Sequence, residues 1–254
     1  MAGLPALRVE GPGRPWVLLH GFGQTAQAWD HVLAARGEAV AAVALTLPGH
    51  ADAPPAPATF EATVDKLAEA LTELSADPLP VLGYSLGGRL ALGLACRHPS
   101  RIARAIVVGA HPGLADPAAR AERAALDDAW AQRLEQEGVV AFFRAWRAQP
   151  LFASQASAPP ERRAARAAAE ARHDPRRLAG AMRALSLGRM PLWTPALAAG
   201  TVPLTYLVGA LDAKFTAVAG ELAREVPRLD VRGVPGVGHD VTLEAPEALA
   251  GFLG

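Results

Sequence analysis

The chain has 254 residues, 51% of them hydrophobic, and its 25 basic residues are balanced by 25 acidic ones. That length supports one sizeable core, and zero net charge gives no bulk electrostatic reason to bind nucleic acid or an anionic membrane surface. Because Cys96 has no partner for a disulfide, no apolar run reaches the roughly 20 residues of a membrane span, and the N-terminal residues lack a signal-peptide pattern, we expect a cytoplasmic globular protein.

Short apolar runs alternate with helical patterns through the first half of the chain. Four runs are predicted to be strands buried on both faces, as in a parallel sheet: Trp16–His20, Val40–Leu47, Leu79–Leu82 and Ala105–Val108. Between the second and third runs, Val64, Leu67 and Leu71 recur at helical spacing, which predicts an amphipathic helix over Phe60–Leu74.

A stretch without a convincing strand follows, from about Gly113 to Pro195. Apolar residues at helical spacing occur there in three groups: Leu126/Trp130/Leu134, Val139/Phe143 and Leu178/Met182/Leu185. Residues 113–200 carry 13 arginines against 9 acidic residues, whereas the rest of the chain has 12 basic residues against 16 acidic ones. A net-basic helical insert favours a lid over an anionic ligand, although ordinary scatter of charge explains the difference equally well.

The alternation of strands and helices returns near the end of the chain. Leu204–Val208 and Leu229–Val231 are predicted strands, and Ala217–Val226 and Pro246–Leu253 are predicted helices. The whole pattern predicts an α/β protein with a mostly parallel, doubly wound sheet. The all-helical lid would enter after the strand that ends near Val108, so that residues 1–112 and 195–254 form the core and residues 113–194 the lid.

The sequence Gly83-Tyr84-Ser85-Leu86-Gly87 follows one predicted strand and begins a helical pattern. G-x-S-x-G in that setting is typical of a nucleophile elbow, in which the glycines permit a sharp turn that exposes the serine hydroxyl. The start of the helix also favours negative charge beside the serine. We therefore predict that Ser85 is a reactive serine.

His239 and Asp212 are the predicted partners of Ser85, and each follows its own predicted strand. The order serine, aspartate, histidine is that of the α/β-hydrolase triad. His239 would take the Ser85 proton while Asp212 fixes the tautomer of the imidazole. Asp240, next to the histidine, is the alternative acid.

The sequence His20-Gly21-Phe22-Gly23 ends the first predicted strand, where this fold places a second oxyanion donor. The N–H groups of Phe22 and Leu86 are therefore the predicted oxyanion hole. We interpret His20 and His50 as structural histidines. Because no cysteine, histidine or carboxylate cluster has the spacing of metal ligands, we predict no metal and no other cofactor.

Five segments carry a narrower resemblance: GYSLGGR at 83–89, HPGL at 111–114, WRAQPLF at 146–152, SLG at 186–188 and DAKF at 212–215. The chain resembles the α/β-hydrolase superfamily along its length and, in this combination of segments, the MenH family of 2-succinyl-6-hydroxy-2,4-cyclohexadiene-1-carboxylate synthases. The resemblance implies a lyase of menaquinone biosynthesis. Such an enzyme eliminates pyruvate from 2-succinyl-5-enolpyruvyl-6-hydroxy-3-cyclohexene-1-carboxylate by a 2,5-elimination, and Ser85 would be the base.

A small substrate with several carboxylates needs several fixed cations, preferably arginines. Arg89 lies four residues after Ser85, on the same face of the predicted helix, and its alternative role is a salt bridge to the lid. The resemblance adds five further substrate-binding residues: Tyr84, Arg123, Trp146, Phe152 and Lys214. Without it, Arg123 would equally be a solvated charge and the two lid aromatics would equally be lid core.

One position departs from the family pattern, because Glu170 stands where the family has a further lid arginine. Arg166 or Arg172 would supply that cation after a small shift in register, and we predict Arg172 because it is closer.

Two other functions remain open from the sequence. A carboxylesterase or thioesterase acting on a small acidic ester explains the triad and leaves Arg89 unexplained. A ligand-binding protein without catalysis has no need of all three triad residues.

Overall fold

A computed structural model describes residues 3–36 and 40–253, and a seven-stranded sheet forms its centre. The strands are β1 (Ala6–Val9), β2 (Trp16–Leu19), β3 (Ala42–Leu45), β4 (Leu79–Tyr84), β5 (Ile102–Val108), β6 (Leu204–Gly209) and β7 (Asp230–Val234). Their spatial order is β1-β3-β2-β4-β5-β6-β7; β1 runs antiparallel to β3, and the other neighbouring pairs are parallel. The predicted fold class is confirmed.

Strands β2, β3 and β4 are buried along their whole length because helices cover both faces of the sheet. Along β2, Val17 and Leu19 face a core that includes α2 (Phe60–Leu74) and α3 (Leu86–Arg97). Trp16 and Leu18 face a second core, on the opposite side, with residues of two more helices. Those helices are α1 (Asp30–Arg36) and α10 (Pro246–Ala250).

Several elements differ from the prediction. The elements β1, α1 and α9 (Val241–Glu244) were not predicted, because each has only four to seven residues. Strand β7 lies at the sheet edge and is exposed except at Val234, so its apolar pattern is weak. Helix α8 (Ala213–Glu225) begins four residues before the predicted Ala217, because the Asp212 side chain caps its first turn.

Between β5 and β6 the described chain is helical. It comprises α4 (Pro117–Arg147), a 3₁₀ helix (Pro150–Ser157), α5 (Pro160–Glu170), α6 (Pro175–Ala184) and α7 (Thr194–Ala199). Helix α4 is kinked at Gly138, where φ is +77°. Phe142 and Phe143 of α4 pack with Leu178 and Met182 of α6 in a separate small core. The division of the chain into a core and a lid at residues 113–194 stays a prediction.

No helix within the described ranges is long and apolar enough to cross a membrane.

Candidate active site

Ser85 lies at the sharp turn between β4 and α3. Its backbone has φ 51° and ψ −107°, a conformation that residues other than glycine rarely adopt. The turn depends on close backbone approach, since a Cβ at Gly87 would collide with the carbonyl oxygen of Leu19 and a Cβ at Gly83 with the backbone of Gly87. The serine is thereby held at the N-terminus of α3, where the helix dipole favours negative charge.

His239 connects Ser85 with Asp212. In the tautomer that carries its proton on Nδ1, His239 donates to Oδ2 of Asp212 at 2.8 Å, and its Nε2 lies 3.2 Å from the Ser85 hydroxyl oxygen. Both His239 and Asp212 are buried. The second carboxylate oxygen of Asp212 accepts from the Phe215 N–H at 3.0 Å, which fixes the carboxylate at the start of α8. The three residues form a connected Ser-His-Asp chain.

Asp240, the alternative acid, is turned to other partners. Its Oδ2 accepts from Arg166 at 2.5 Å, and its Oδ1 accepts from the Thr242 hydroxyl at 2.6 Å. The acid that contacts the imidazole is therefore Asp212.

Aromatic side chains enclose the imidazole of His239. Phe215 stacks on it with ring centroids 4.6 Å apart, and Tyr84 and Phe152 lie at 5.4 and 6.0 Å. These contacts, together with the bond to Asp212, limit the orientations that the ring can adopt.

The loop of Phe22 is fastened to the start of α3, because the Gly87 N–H donates to the His20 carbonyl at 3.0 Å. Phe22 and Leu86 both line the pocket that contains Ser85. Within residues 3–36 and 40–253, the backbone N–H groups of Phe22 and Leu86 have no hydrogen-bond acceptor from the protein. They are available to a ligand oxygen, as an oxyanion hole requires.

His20 and His50 hold the loop of Phe22 in place. His20 donates from Nδ1 to the Gly21 carbonyl at 2.7 Å and accepts at Nε2 from the Leu47 N–H at 2.9 Å. Burial, and then the charge of His50, hold the pKa of His20 well below its ordinary value. Burial likewise lowers the pKa of His50 to about 3, and its ring lies 5.5 Å from that of Phe22. Both are neutral structural side chains.

A pocket of about 190 Å³ lies between Ser85 and the helices that follow β5. The structure brings most of the predicted site residues to its wall: Phe22, Ser85, Leu86, Arg89, Arg123, Trp146, Phe152, Lys214 and His239.

The pocket is rich in positive charge. Arg89 donates to the Leu185 carbonyl at 2.8 Å and, among the described residues, has no carboxylate partner, so the expected alternative of a salt bridge to the lid is wrong. Burial, and then the nearby Arg123, lower the pKa of Arg89 to about 9. The pKa of Lys214 is lowered by the same two causes in the same order. Among the residues that the structure describes, three cations thus face the pocket with one acidic residue, Asp127.

Tyr84 faces a smaller neighbouring cavity of about 50 Å³, which also reaches Ser85. Burial raises the pKa of Tyr84 well above its ordinary value. The other polar residues of this inner cavity are Gln24, Arg147, Gln155, Arg166, Glu170 and Asp240.

Arg172 is the predicted site residue that the structure places elsewhere. Its side chain is exposed and lines a separate depression with Pro5 and Asp52. The prediction that Arg172 supplies a third lid cation is wrong, because Arg172 lies beyond the end of α5 at Glu170 and its exposed side chain is not on the wall of the pocket or of the inner cavity. Arg166, the alternative, lies on α5 at the inner cavity and is already paired with Asp240.

Several residues that were not predicted as site residues also line the pocket, among them His111, Asp127 and Trp130. Asp127 had a visible signal, since it lies four residues after Arg123 in a helical pattern. His111 lay within a quoted family segment; burial, and then the charge of Lys214, lower its pKa to about 4. Among the described residues, no group of three or more His, Cys, Asp or Glu side chains is arranged to hold a metal.

Comparison with known proteins gives three findings beyond a match of residues 16–252 to the alpha/beta hydrolase family. The 2-succinyl-6-hydroxy-2,4-cyclohexadiene-1-carboxylate synthase of Enterobacter sp. (strain 638) is 36% identical over 244 residues, covering 95% of this chain and 91% of that protein. The synthase of the same name from Escherichia coli O1:K1 is 35% identical over 247 residues, with 95% and 93% covered. The solved structure of MenH from S. aureus is 26% identical, with a TM-score of 0.90 over 99% of this chain and 96% of that one.

Proposed function

The chain belongs to the α/β-hydrolase family and, within it, to the family of 2-succinyl-6-hydroxy-2,4-cyclohexadiene-1-carboxylate synthases, and we propose that it catalyses the reaction for which those relatives are named. In this reaction pyruvate is eliminated from 2-succinyl-5-enolpyruvyl-6-hydroxy-3-cyclohexene-1-carboxylate. One observation carries the proposal: the hydrogen-bonded Ser-His-Asp triad lies at a pocket in which Arg89 has no carboxylate partner among the described residues.

The proposed role of the triad is to remove a proton from the substrate ring. His239 accepts the hydroxyl proton of Ser85, and the Ser85 oxygen takes the ring proton. The electron pair of the broken C2–H bond forms a double bond between C2 and C3, the ring double bond shifts from C3–C4 to C4–C5, and the bond from C5 to the enolpyruvyl oxygen breaks. The departing enolpyruvate takes up the proton held on His239 and is released as pyruvate. Asp212 stabilises the imidazolium that forms on His239. No water molecule is consumed.

The N–H groups of Phe22 and Leu86 are proposed to bind the oxygen on which negative charge develops. Such donors are most effective when they are fixed before the reaction, and the bond from Gly87 to His20 supports that here. The transition state is thus bound more tightly than the substrate, as catalysis requires.

The carboxylates of the substrate are proposed to bind Arg89, Arg123 and Lys214. Arginine suits this role because its planar guanidinium offers two parallel donors to a carboxylate. The partial burial of Arg89 strengthens its attraction for an anion, because less water screens the charge. We propose a cytoplasmic location for this chemistry and a small polycarboxylate as the partner.

A carboxylesterase would share the triad and would not need this cluster of cations. The test measures pyruvate release from the enolpyruvyl substrate, generated in situ, in parallel with p-nitrophenyl acetate hydrolysis. We expect rapid pyruvate release, with weak ester hydrolysis, in the wild type. Ser85→Ala should lose the release, while Ser100→Ala, which alters an exposed serine, should retain it. No release above the spontaneous rate together with fast ester hydrolysis would replace the proposal with an esterase.

A further inference from the structure

The two ends of the site around Ser85 differ in charge. On one side, Arg89, Arg123 and Lys214 face the pocket, and Asp127 is the one acidic residue that the described part of the chain places beside them. On the other side lies the inner cavity, whose two arginines each have an acidic partner. Their charges cancel, so the inner cavity offers hydrogen-bonding groups without a net positive charge.

The ion pairs of the inner cavity are formed between separate elements of the fold. Arg147, at the end of α4, contacts the carboxylate of Glu170 at the end of α5. Arg166 of α5 contacts Asp240, which follows β7, at 2.5 Å. The side chains of Glu170 and Asp240 are 8% and 1% exposed, so both carboxylates are shielded from water. Carboxylates buried in this way are retained only when a cation pairs with them.

Glu170 decides the charge of this end. Burial raises its pKa to about 7, against the opposing effects of Arg147 and Arg166. In its ionised form Glu170 neutralises Arg147. The carboxylates of Glu170 and Asp240 then repel any carboxylate of a ligand that enters the inner cavity. If Glu170 were uncharged, Arg147 would be left to attract an anion.

We propose that Glu170 is a specificity-determining residue that makes the inner cavity accept an uncharged hydroxyl or carbonyl group of the substrate and reject a carboxylate. The carboxylates of the substrate are then directed to the end that carries Arg89. This inference rests on the proposed function only in taking Ser85 as the reacting centre.

The size of the cavity agrees with this assignment. Its volume of about 50 Å³ is enough for a few water molecules, since one requires roughly 10–15 Å³. A hydroxyl or carbonyl group fits that space and finds donors and acceptors in Gln24 and Gln155. A carboxylate would have to enter together with a compensating charge, and Glu170 and Asp240 already occupy both arginines.

The test compares two ligands of the same shape, isophthalate and 3-carbamoylbenzoate, in which a carboxamide replaces one carboxylate. Calorimetry at about pH 8.5, where Glu170 is ionised, gives the ratio of the Kd of isophthalate to the Kd of 3-carbamoylbenzoate. We expect Glu170→Gln to lower this ratio at least about tenfold, because Arg147 becomes available to the second carboxylate. Arg147→Gln should raise the ratio, because Glu170 then lacks its cation.

The matched control is Glu161→Gln, which removes an exposed carboxylate from the first turn of the same helix and should leave the ratio unchanged. An unchanged ratio in Glu170→Gln would overturn the inference. A similar decrease of the ratio in Glu170→Gln and Glu161→Gln would also overturn it, because a merely structural disturbance of the helix would produce that result. Absence of binding of either ligand to the wild type would also overturn it. Because no turnover is measured, a failure to release pyruvate would remove the proposed reaction and leave this result intact.

Discussion

Arg123 donates its Nε–H to both carboxylate oxygens of Asp127, at 2.9 and 3.0 Å, one turn further along α4. The Ser186 hydroxyl donates to the same carboxylate at 2.7 Å, so Asp127 is held from two elements. In the described part of the chain, the two terminal nitrogens of Arg123 donate to no other protein group. They remain available to a ligand while the side chain is fixed at Nε.

Replacing Arg123 with lysine tests this arrangement, because lysine keeps the charge and loses the planar fork. We expect Arg123→Lys to raise the KM for the enolpyruvyl substrate about five- to tenfold, with a smaller change in kcat. Arg133 is the matched control, since its Nε contacts both oxygens of Glu137 at 2.9 Å on the exposed side of the same helix. A KM that moves alike in Arg133→Lys would argue against a binding role for Arg123.

Arg89→Ala should impair the reaction of the polycarboxylate substrate much more than the hydrolysis of a neutral ester. It removes a partly buried cation and leaves the triad bonds untouched, so we expect kcat/KM for pyruvate release to fall at least about a hundredfold. Hydrolysis of p-nitrophenyl acetate should change less than about threefold. Arg97→Ala, which alters an exposed arginine at the end of the same helix, is the control. Equal losses on both substrates would show that Arg89 supports the fold and does not bind carboxylates.

The two candidate acids predict opposite mutational results. Asp212→Asn keeps an oxygen that can cap α8 but favours the wrong tautomer of His239, so we expect kcat to fall by about 10³ or more. Asp240→Asn leaves the His239 bond in place and should cost less than about tenfold. Steady-state rates of pyruvate release at matched protein stability provide the measurement. A large loss at Asp240 with a small one at Asp212 would reassign the acid.

The stability of the protein should report the burial of Glu170. Its pKa is raised from the ordinary 4.5 to about 7, so between these values the folded state holds a proton that the unfolded chain has lost. The contribution of this group to the free energy of unfolding therefore falls as pH rises through that window, by about 3 kcal/mol at most.

The free energy of unfolding in urea, measured between about pH 5 and about pH 8, should fall more in the wild type than in Glu170→Gln. Subtracting the free energy of unfolding of Glu170→Gln from that of the wild type at each pH cancels the contributions of groups that titrate alike in both proteins. Glu161→Gln should follow the wild type. Identical pH profiles for the wild type and Glu170→Gln would mean that Glu170 titrates at its ordinary pKa.

The sequence predicted the elements whose pattern is local and long. Helix α2 has the predicted bounds because its apolar residues recur over four turns, and the elbow was visible because strand, glycines and helix are contiguous. Strand β1 was not predicted because it is an edge strand of four residues, none of them fully buried, and so has no clear apolar alternation. Its pairing with β3 is long-range.

The choice between the candidate lid arginines also depends on long-range packing that the local sequence pattern does not reveal. Spacing alone favoured Arg172 over Arg166, yet the end of α5 at Glu170 decides which of them faces the site. The departure at Glu170 was visible in the sequence, whereas its contact with Arg147 depends on how α4 packs against α5, 23 residues away in the chain.

The backbone of Ser85 has an evolutionary consequence. At φ 51° and ψ −107° a glycine would avoid strain that costs the serine on the order of 1–3 kcal/mol, more than the entropy a glycine adds to the unfolded chain. A gene copy freed from the need to make product would therefore gain folding stability from a change of serine to glycine at this codon. Inactive descendants of such a protein would persist as well-folded chains, and only selection for turnover keeps the serine.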